Sequence, residues 1–273
     1  MICIIVFAAS AAGLAGYGIF SFRQQQAAKE VQTALRNIRE MQDTEATEEV
    51  AVQEETESAE LETETREPEI LPKYRALYGL NPDMAGWLTV EGTVIDYPVM
   101  QTMEDESYYL SYDFYGQPSS SGCLIMDTDS VVGTGTKADG YAGGEAPSTN
   151  LIIHGHTMRN GDMFGDLDLY GDEAYGKEHS LIRFDSLYEE REYELLAVFY
   201  SQVYYESQDV FKYYKFFQAD TREEFDDWYG NIKKLSLYDT GVTAGFGDEF
   251  LTLSCCAYHV EDGRFVVVAK RVA

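Results

Sequence analysis

Residues 251–271 read Leu251-Thr-Leu-Ser-Cys-Cys-Ala-Tyr-His-Val-Glu-Asp-Gly-Arg-Phe-Val-Val-Val-Ala-Lys-Arg271. Two runs rich in β-branched and apolar residues flank Asp262-Gly263, which predicts a β-hairpin turning near that pair. Cys256 falls near the end of the first strand and Arg264 at the start of the second. Pairing symmetric about Val260 sets them opposite each other. A thiol beside a fixed cation is an arrangement that favours the reactive thiolate. Successive side chains of a strand point to opposite faces. Leu251, Leu253 and Cys255 therefore share an apolar face, expected to meet a core. Thr252, Ser254 and Cys256 share a polar face, expected to meet a groove. Parity thus assigns Cys256 to a site and Cys255 to the interior, where a free cysteine packs as a small hydrophobe.

Working outward from the hairpin, six further short β-rich runs are separated by turn residues: 86–90, 94–100, 122–127, 150–154, 181–185 and 192–204. With the hairpin strands, 249–256 and 264–272, they make eight. Many short strands punctuated by turns predict a mostly β fold, a closed or nearly closed barrel. Two helices accompany the strands, one before them and one among them. One, 74–80, is ended by Gly79 and Asn81-Pro82. The other spans 220–237, with Asp220 or Thr221 as its cap and Phe225, Trp228, Tyr229 and Ile232 as an apolar stripe. Residues 133–149, rich in Gly, Ser and Thr, are expected to form a long mobile loop. The Tyr-rich run 200–217 reads as a strand and then a loop whose aromatics are candidates to line a groove.

The chain of 273 residues carries a net charge of −28. Twelve acids against one cation, Arg66, fall between Asp43 and Glu69. A segment so charged and so poor in apolar residues predicts a disordered, self-repelling linker over 43–71. The rest is acidic too, which argues against nucleic acid as a partner, because phosphate recognition needs a basic footprint. Residues 1–22 carry no charge and are almost wholly apolar, long enough for a membrane signal anchor. Residues 23–42 then read as a juxtamembrane helix with Val31, Leu35 and Ile38 on one face. The β-rich domain is expected over 72–273. The cations after the span (Arg23, Lys29, Arg36 and Arg39) would by themselves put that side in the cytoplasm.

Asn150-Leu-Ile-Ile-His-Gly-His156 is a buried strand ending at a glycine. His156, just past its end, is placed either to serve Cys256 as an acid/base partner or to cap the strand against a loop. A different chemistry uses His154, His156 and Cys256, with His259, as a zinc site in a metal-binding surface protein. The spacings of established zinc motifs are absent, and Arg264 would set a cation beside the metal.

The segment 150–167, Asn150-Leu-Ile-Ile-His-Gly-His-Thr-Met-Arg-Asn-Gly-Asp-Met-Phe-Gly-Asp-Leu167, resembles the histidine segment of class B sortases. Thr252-Leu-Ser-Cys-Cys256 resembles their Thr-Leu-Ser-Thr-Cys motif, with Cys255 in place of the usual Thr, and Arg264-Phe-Val-Val-Val-Ala-Lys270 resembles their arginine strand. Asn81–Leu88, Asp96–Val99, Tyr108–Leu110 and the helix near 221–236 are also similar, so the likeness runs from about Tyr74 to the C-terminus. His154 stands where a Tyr is common. The resemblance implies a sortase-like eight-stranded β-barrel with an N-terminal helical extension and a helix inserted before the cysteine strand. It implies catalytic roles for His156, Cys256 and Arg264 and no cofactor. It also implies a membrane-anchored, extracellular transpeptidase that cleaves a sorting signal on secreted proteins. The acyl product would pass to an amine of a peptidoglycan peptide or, in a pilus-polymerising variant, to a pilin lysine. Ser254, sharing the face of Cys256, is a candidate substrate contact.

Overall fold

The computed structural model describes residues 2–53 and 68–273; the side chains of residues 2–15, 17 and 46–53 are not described. Helix α1 runs Ile2–Gln53 and α2 Pro72–Leu80. Strands β1 (Met84–Thr89) and β2 (Asp96–Met100) lead to the short helix α3 (Tyr108–Ser111), then to β3 (Leu124–Met126) and β4 (Asn150–Gly155). Helix α4 (Glu173–Glu178) precedes β5 (Leu181–Ser186) and β6 (Glu192–Gln202). Helix α5 (Arg222–Leu235) comes before the hairpin strands β7 (Phe250–Cys256) and β8 (Gly263–Arg271). The eight strands close into a barrel in the order β1-β2-β3-β4-β7-β8-β6-β5. β4 lies parallel to β7, which is antiparallel to β8.

The barrel interior takes alternate residues of each strand. From β7 these are Leu251, Leu253 and Cys255; from β8, Phe265, Val267 and Ala269; from β4, Leu151 and Ile153. The opposite faces are also covered. Phe250, Val266 and Val268 join Phe225, Trp228 and Ile232 of α5 in a second core outside the barrel wall. Burial on both faces explains why β8 reads as an unbroken apolar run rather than an alternation. Helix α5 is held at its start by a capping box: the Thr221 hydroxyl accepts from the Glu224 amide, and the Glu224 carboxylate accepts from the Thr221 amide. Burying its three large apolar side chains contributes roughly 1.5–3 kcal/mol each.

This second core corrects the expectation that Thr252 and Ser254 face a groove. Both are buried, at 1% exposure. The Thr252 hydroxyl donates to Asn150 Oδ1 at 2.8 Å, and Asn150 Nδ2 donates to the Phe216 carbonyl at 2.8 Å. The polar face of β7 is thus a sealed, hydrogen-bonded layer that opens only at Cys256, its last residue.

A third core packs α1 and α2 against β1 and β2, with Leu35, Tyr74, Leu77 and Trp87 buried. Val31 and Ile38 flank it, as the helical spacing predicts. Asp96 fastens this layer: it accepts from Arg39 Nη1 and Trp87 Nε1, each at 2.7 Å, while Arg36 Nε lies 3.1 Å from its carboxylate. Burial would raise this carboxyl, but the bonds from Arg39 and Trp87 and the charges of Arg39 and Arg36 outweigh it and hold it below the ordinary carboxylate range. Helix α1 continues through residues 43–53, a stretch expected to belong to the disordered linker. Of the rest of that expected linker, 54–67 lies outside the described residues, while at its end Ile70 and Leu71 pack against the third core and the Leu71 amide donates to the Leu187 carbonyl at 2.7 Å. Among the described residues no helix is long and apolar enough to cross a membrane. The anchor expected over residues 1–22 falls mostly on side chains outside the description.

The loop 133–149, expected to be mobile, is tied to the barrel. Tyr141 donates to Glu249 Oε1 at 2.5 Å, and Arg271 donates to both Tyr141 Oη and Glu249 Oε2.

Candidate active site

The turn of the β7–β8 hairpin spans 257–262, and its left-handed residue is Asp262 (φ 52°), a residue type that tolerates that conformation. Gly263 follows because the chain passes close to itself there: a Cβ would sit 2.3 Å from the Ala257 carbonyl oxygen. This turn fixes the register in which Cys256 is paired directly with Arg264. Opposite residues of an antiparallel pair hold their Cβ atoms roughly 5 Å apart. The symmetry read from the sequence is therefore the register of the structure.

The two cysteines separate as parity predicts. Cys255 is 2% exposed and belongs to the barrel core. Burial pushes its thiol up to about 11, against a smaller opposing bond from Thr157. Cys256 is exposed, and it is the only exposed cysteine among the described residues. The third described cysteine, Cys123, is buried and its thiol is pushed up by that burial.

His156 reaches the same place from β4. The strand can end there because Gly155 has no side chain; a Cβ would meet Leu124 Cδ2 at 2.5 Å and Phe164 Cδ2 at 2.7 Å. Thr157 then donates its hydroxyl to the Cys256 carbonyl at 2.7 Å, tying the histidine segment to the cysteine strand. His156 Nε2 lies 2.9 Å from the Leu110 carbonyl. A carbonyl only accepts, so Nε2 carries a proton, and Nδ1 is the nitrogen through which a neutral ring exchanges one. The cap against a loop is the contact the structure shows, and it sets the tautomer of a neutral His156 ring.

One cavity of about 290 Å³ is lined by His156, Cys256, Arg264, Ser254, Tyr213 and Leu110, among others. Arg264 Nη1 donates to the Asp262 and Gly263 carbonyls at 3.2 and 3.0 Å. These bonds fix one edge of the guanidinium, whose planar fork has further donors. Ser254 forms part of the floor. Its hydroxyl is buried and 2.7 Å from Tyr213 Oη, so it is already engaged by the phenol. Tyr213 belongs to the Tyr-rich run, and its burial raises its ionisation above the usual phenol range.

The zinc arrangement is not what the strands bring together. Among the described residues, the group whose ligand atoms gather within 4.8 Å is Glu106, Asp127 and His154. His154 Nε2 pairs with Asp127 Oδ2 at 3.1 Å, His156 turns to Leu110, and the His259 ring lies 4.8 Å from that of Tyr200. The His-X-His spacing does put both rings on one cavity, but with separate partners. Neither Glu106 nor Asp127 stands out in the sequence, where 21 and 27 residues separate the members of the group.

An exposed thiol at a strand end, opposed by an arginine and sharing its cavity with a histidine of fixed tautomer, has the parts for acyl transfer through a thioester. The fold and this site define a cysteine transpeptidase on a closed β-barrel. No family model matches the chain. Sortase B of Listeria monocytogenes is 32% identical over 206 residues, 75% of this chain and 76% of the relative. Sortase B of Staphylococcus aureus is 26% identical over 204 residues, 74% of this chain and 75% of the relative. Among solved structures, sortase B from Bacillus anthracis superposes with a TM-score of 0.68 at 26% identity, covering 92% of this chain and 99% of that one. The chain belongs to the class B sortases.

Proposed function

We propose that this sortase cleaves a sorting signal on secreted proteins and joins the acyl product to an amine of the cell wall. The observation that carries the reading is the pairing of Cys256 with Arg264 across β7–β8, on the cavity that His156 also lines. Cys256 Sγ attacks the scissile carbonyl. Arg264 hydrogen-bonds the developing oxyanion with donors its carbonyl contacts leave over. His156 Nδ1 takes the thiol proton as Sγ attacks and delivers it to the departing amine. The C–N bond breaks, a thioester remains on Cys256, and an incoming amine resolves it. The relative from Staphylococcus aureus has been solved as a sortase B–substrate complex, with a TM-score of 0.71 at 21% identity.

The enzyme works outside the cell, held to the membrane by residues 1–22. Support for that placement is the charge-free apolar composition of the segment and the family's action on secreted proteins. Membrane fractionation of the full chain against a version lacking residues 1–22 tests it. For the chemistry, the test is cleavage of a library of sorting-signal peptides with and without added amines. The expected result is cleavage of a narrow motif set, with amide product when amine is present. Indifference to motif, or hydrolysis that no amine diverts, would contradict the reading.

A further inference from the structure

The cavity continues past the catalytic groups to the Glu106–Asp127–His154 cluster. Its floor crosses four adjacent strands. Arg264 is on β8, Cys256 on β7, His154 and His156 at the end of β4, and Asp127 directly after β3. Charge therefore changes sign along the cavity, from a guanidinium on one side of the thiol to two carboxylates on the other. His154 is register-paired with Ser254, two residues before Cys256 on the neighbouring strand. One strand spacing of ~4.8 Å and a two-residue rise of ~6.6 Å put the backbones of His154 and Cys256 roughly 8 Å apart.

Resting on the transpeptidase reading above, we propose that Glu106, Asp127 and His154 form the acceptor subsite, which takes a cationic primary amine and deprotonates it for attack on the thioester. A primary amine with an ordinary pKa of ~10.4 arrives as an ammonium, which is not nucleophilic. The acceptor needs carboxylates to bind that charge and a base to remove a proton. Asp127 Oδ2 accepts from His154 Nε2, since a carboxylate does not donate, which leaves His154 Nδ1 as a proton acceptor. Glu106 is exposed at the rim, where its Oε1 also accepts from the Thr128 amide at 3.2 Å. His154 takes one proton from the ammonium and releases it to solvent. The nitrogen lone pair bonds the thioester carbon, the C–S bond breaks, and the sulfur of Cys256 leaves with the electron pair. The second nitrogen proton passes through His156 to that sulfur. His154 is a catalytic residue in this step; Asp127 is a positioning residue that also attracts the amine.

The test compares full-length wild type with Glu106→Gln/Asp127→Asn and with Glu106→Gln alone, the latter a change at an exposed side chain. The substrate is a sorting-signal peptide that wild type cleaves. The acceptors are Nα-acetyl-lysine amide, a cation at neutral pH, and hydroxylamine, which is uncharged there. The ratio of aminolysis to hydrolysis with the lysine derivative is expected to fall at least about tenfold in the double variant and severalfold in the single one, and to stay near wild type with hydroxylamine. An unchanged ratio, an equal fall with both nucleophiles, or a parallel loss of acylation with the ratio held would overturn the subsite. So would stoichiometric divalent metal in purified wild type, as the carboxylates would then be occupied. Wild type that forms no thioacyl adduct with any peptide would instead overturn the transpeptidase reading beneath it.

Discussion

Cys256 and Arg264 are register partners across the β7–β8 hairpin, the last residue of one strand set against the second residue of the next. The pairing makes the position of Arg264, the proposed oxyanion donor, a property of the sheet rather than of a loop. Arg264→Lys keeps the charge and loses the fork. Its kcat/KM for peptide cleavage is expected to fall about 10²-fold, the loss typical of one oxyanion donor. Steady-state kinetics at equal folded concentration checks it; wild-type rates would remove Arg264 from the transition state.

The two adjacent thiols should react differently. A methanethiosulfonate reagent at neutral pH is expected to modify Cys256 quickly and Cys255 only on unfolding, because burial holds the Cys255 thiol near 11 and shields it. Peptide mapping after brief labelling reads the order. Equal labelling of both would contradict the face assignment.

Tyr213 and Ser254 share a buried hydrogen bond beneath the cavity. Tyr213→Phe leaves the Ser254 hydroxyl without that partner and is expected to cost about 1–3 kcal/mol of stability, while Tyr213→Phe/Ser254→Ala recovers part of it. Denaturant unfolding of the two single variants and the double gives the coupling. Strict additivity would show that the bond contributes nothing.

Asp96 joins α1 to the barrel, and its carboxyl is held below the ordinary range. A depressed folded-state carboxyl stabilises the fold above its unfolded pKa, and the contribution is lost as pH falls through the folded value. Glu249, half-buried but bonded by Tyr141 and Arg271, is depressed too and acts in the same direction. Asp96→Asn is therefore expected to destabilise at neutral pH, to expose the α1 backbone near Leu35 to hydrogen exchange, and to flatten the acid limb of the stability curve. An acid limb identical to wild type would remove Asp96 from that linkage.

The hairpin and the eight strands were legible because alternation and turn residues are local signals. The assignment of Cys255 inward and Cys256 outward needed only the two-residue period. Parity says which residues share a face, but not what covers it. Thr252 and Ser254 looked like a wet face and are sealed by Asn150, Tyr213 and the layer under α5, which arrive from distant sequence. Composition likewise misjudged residues 43–53, where the acids extend a helix already begun upstream. Glu106 and Asp127 left no trace in the sequence, and His154 stood out only for a zinc arrangement, because the antiparallel pairing of β3 with β4, not spacing, sets Asp127 beside His154.

The central claim is that Cys256 is the acyl carrier, and mass spectrometry of a trapped thioacyl intermediate tests it most directly. Incubating the enzyme with a cleavable sorting-signal peptide without amine, then quenching in acid, is predicted to add the acyl fragment to Cys256. The adduct should persist in Cys255→Ala and vanish in Cys256→Ala. An adduct on Cys255, or one that survives in Cys256→Ala, would contradict the account.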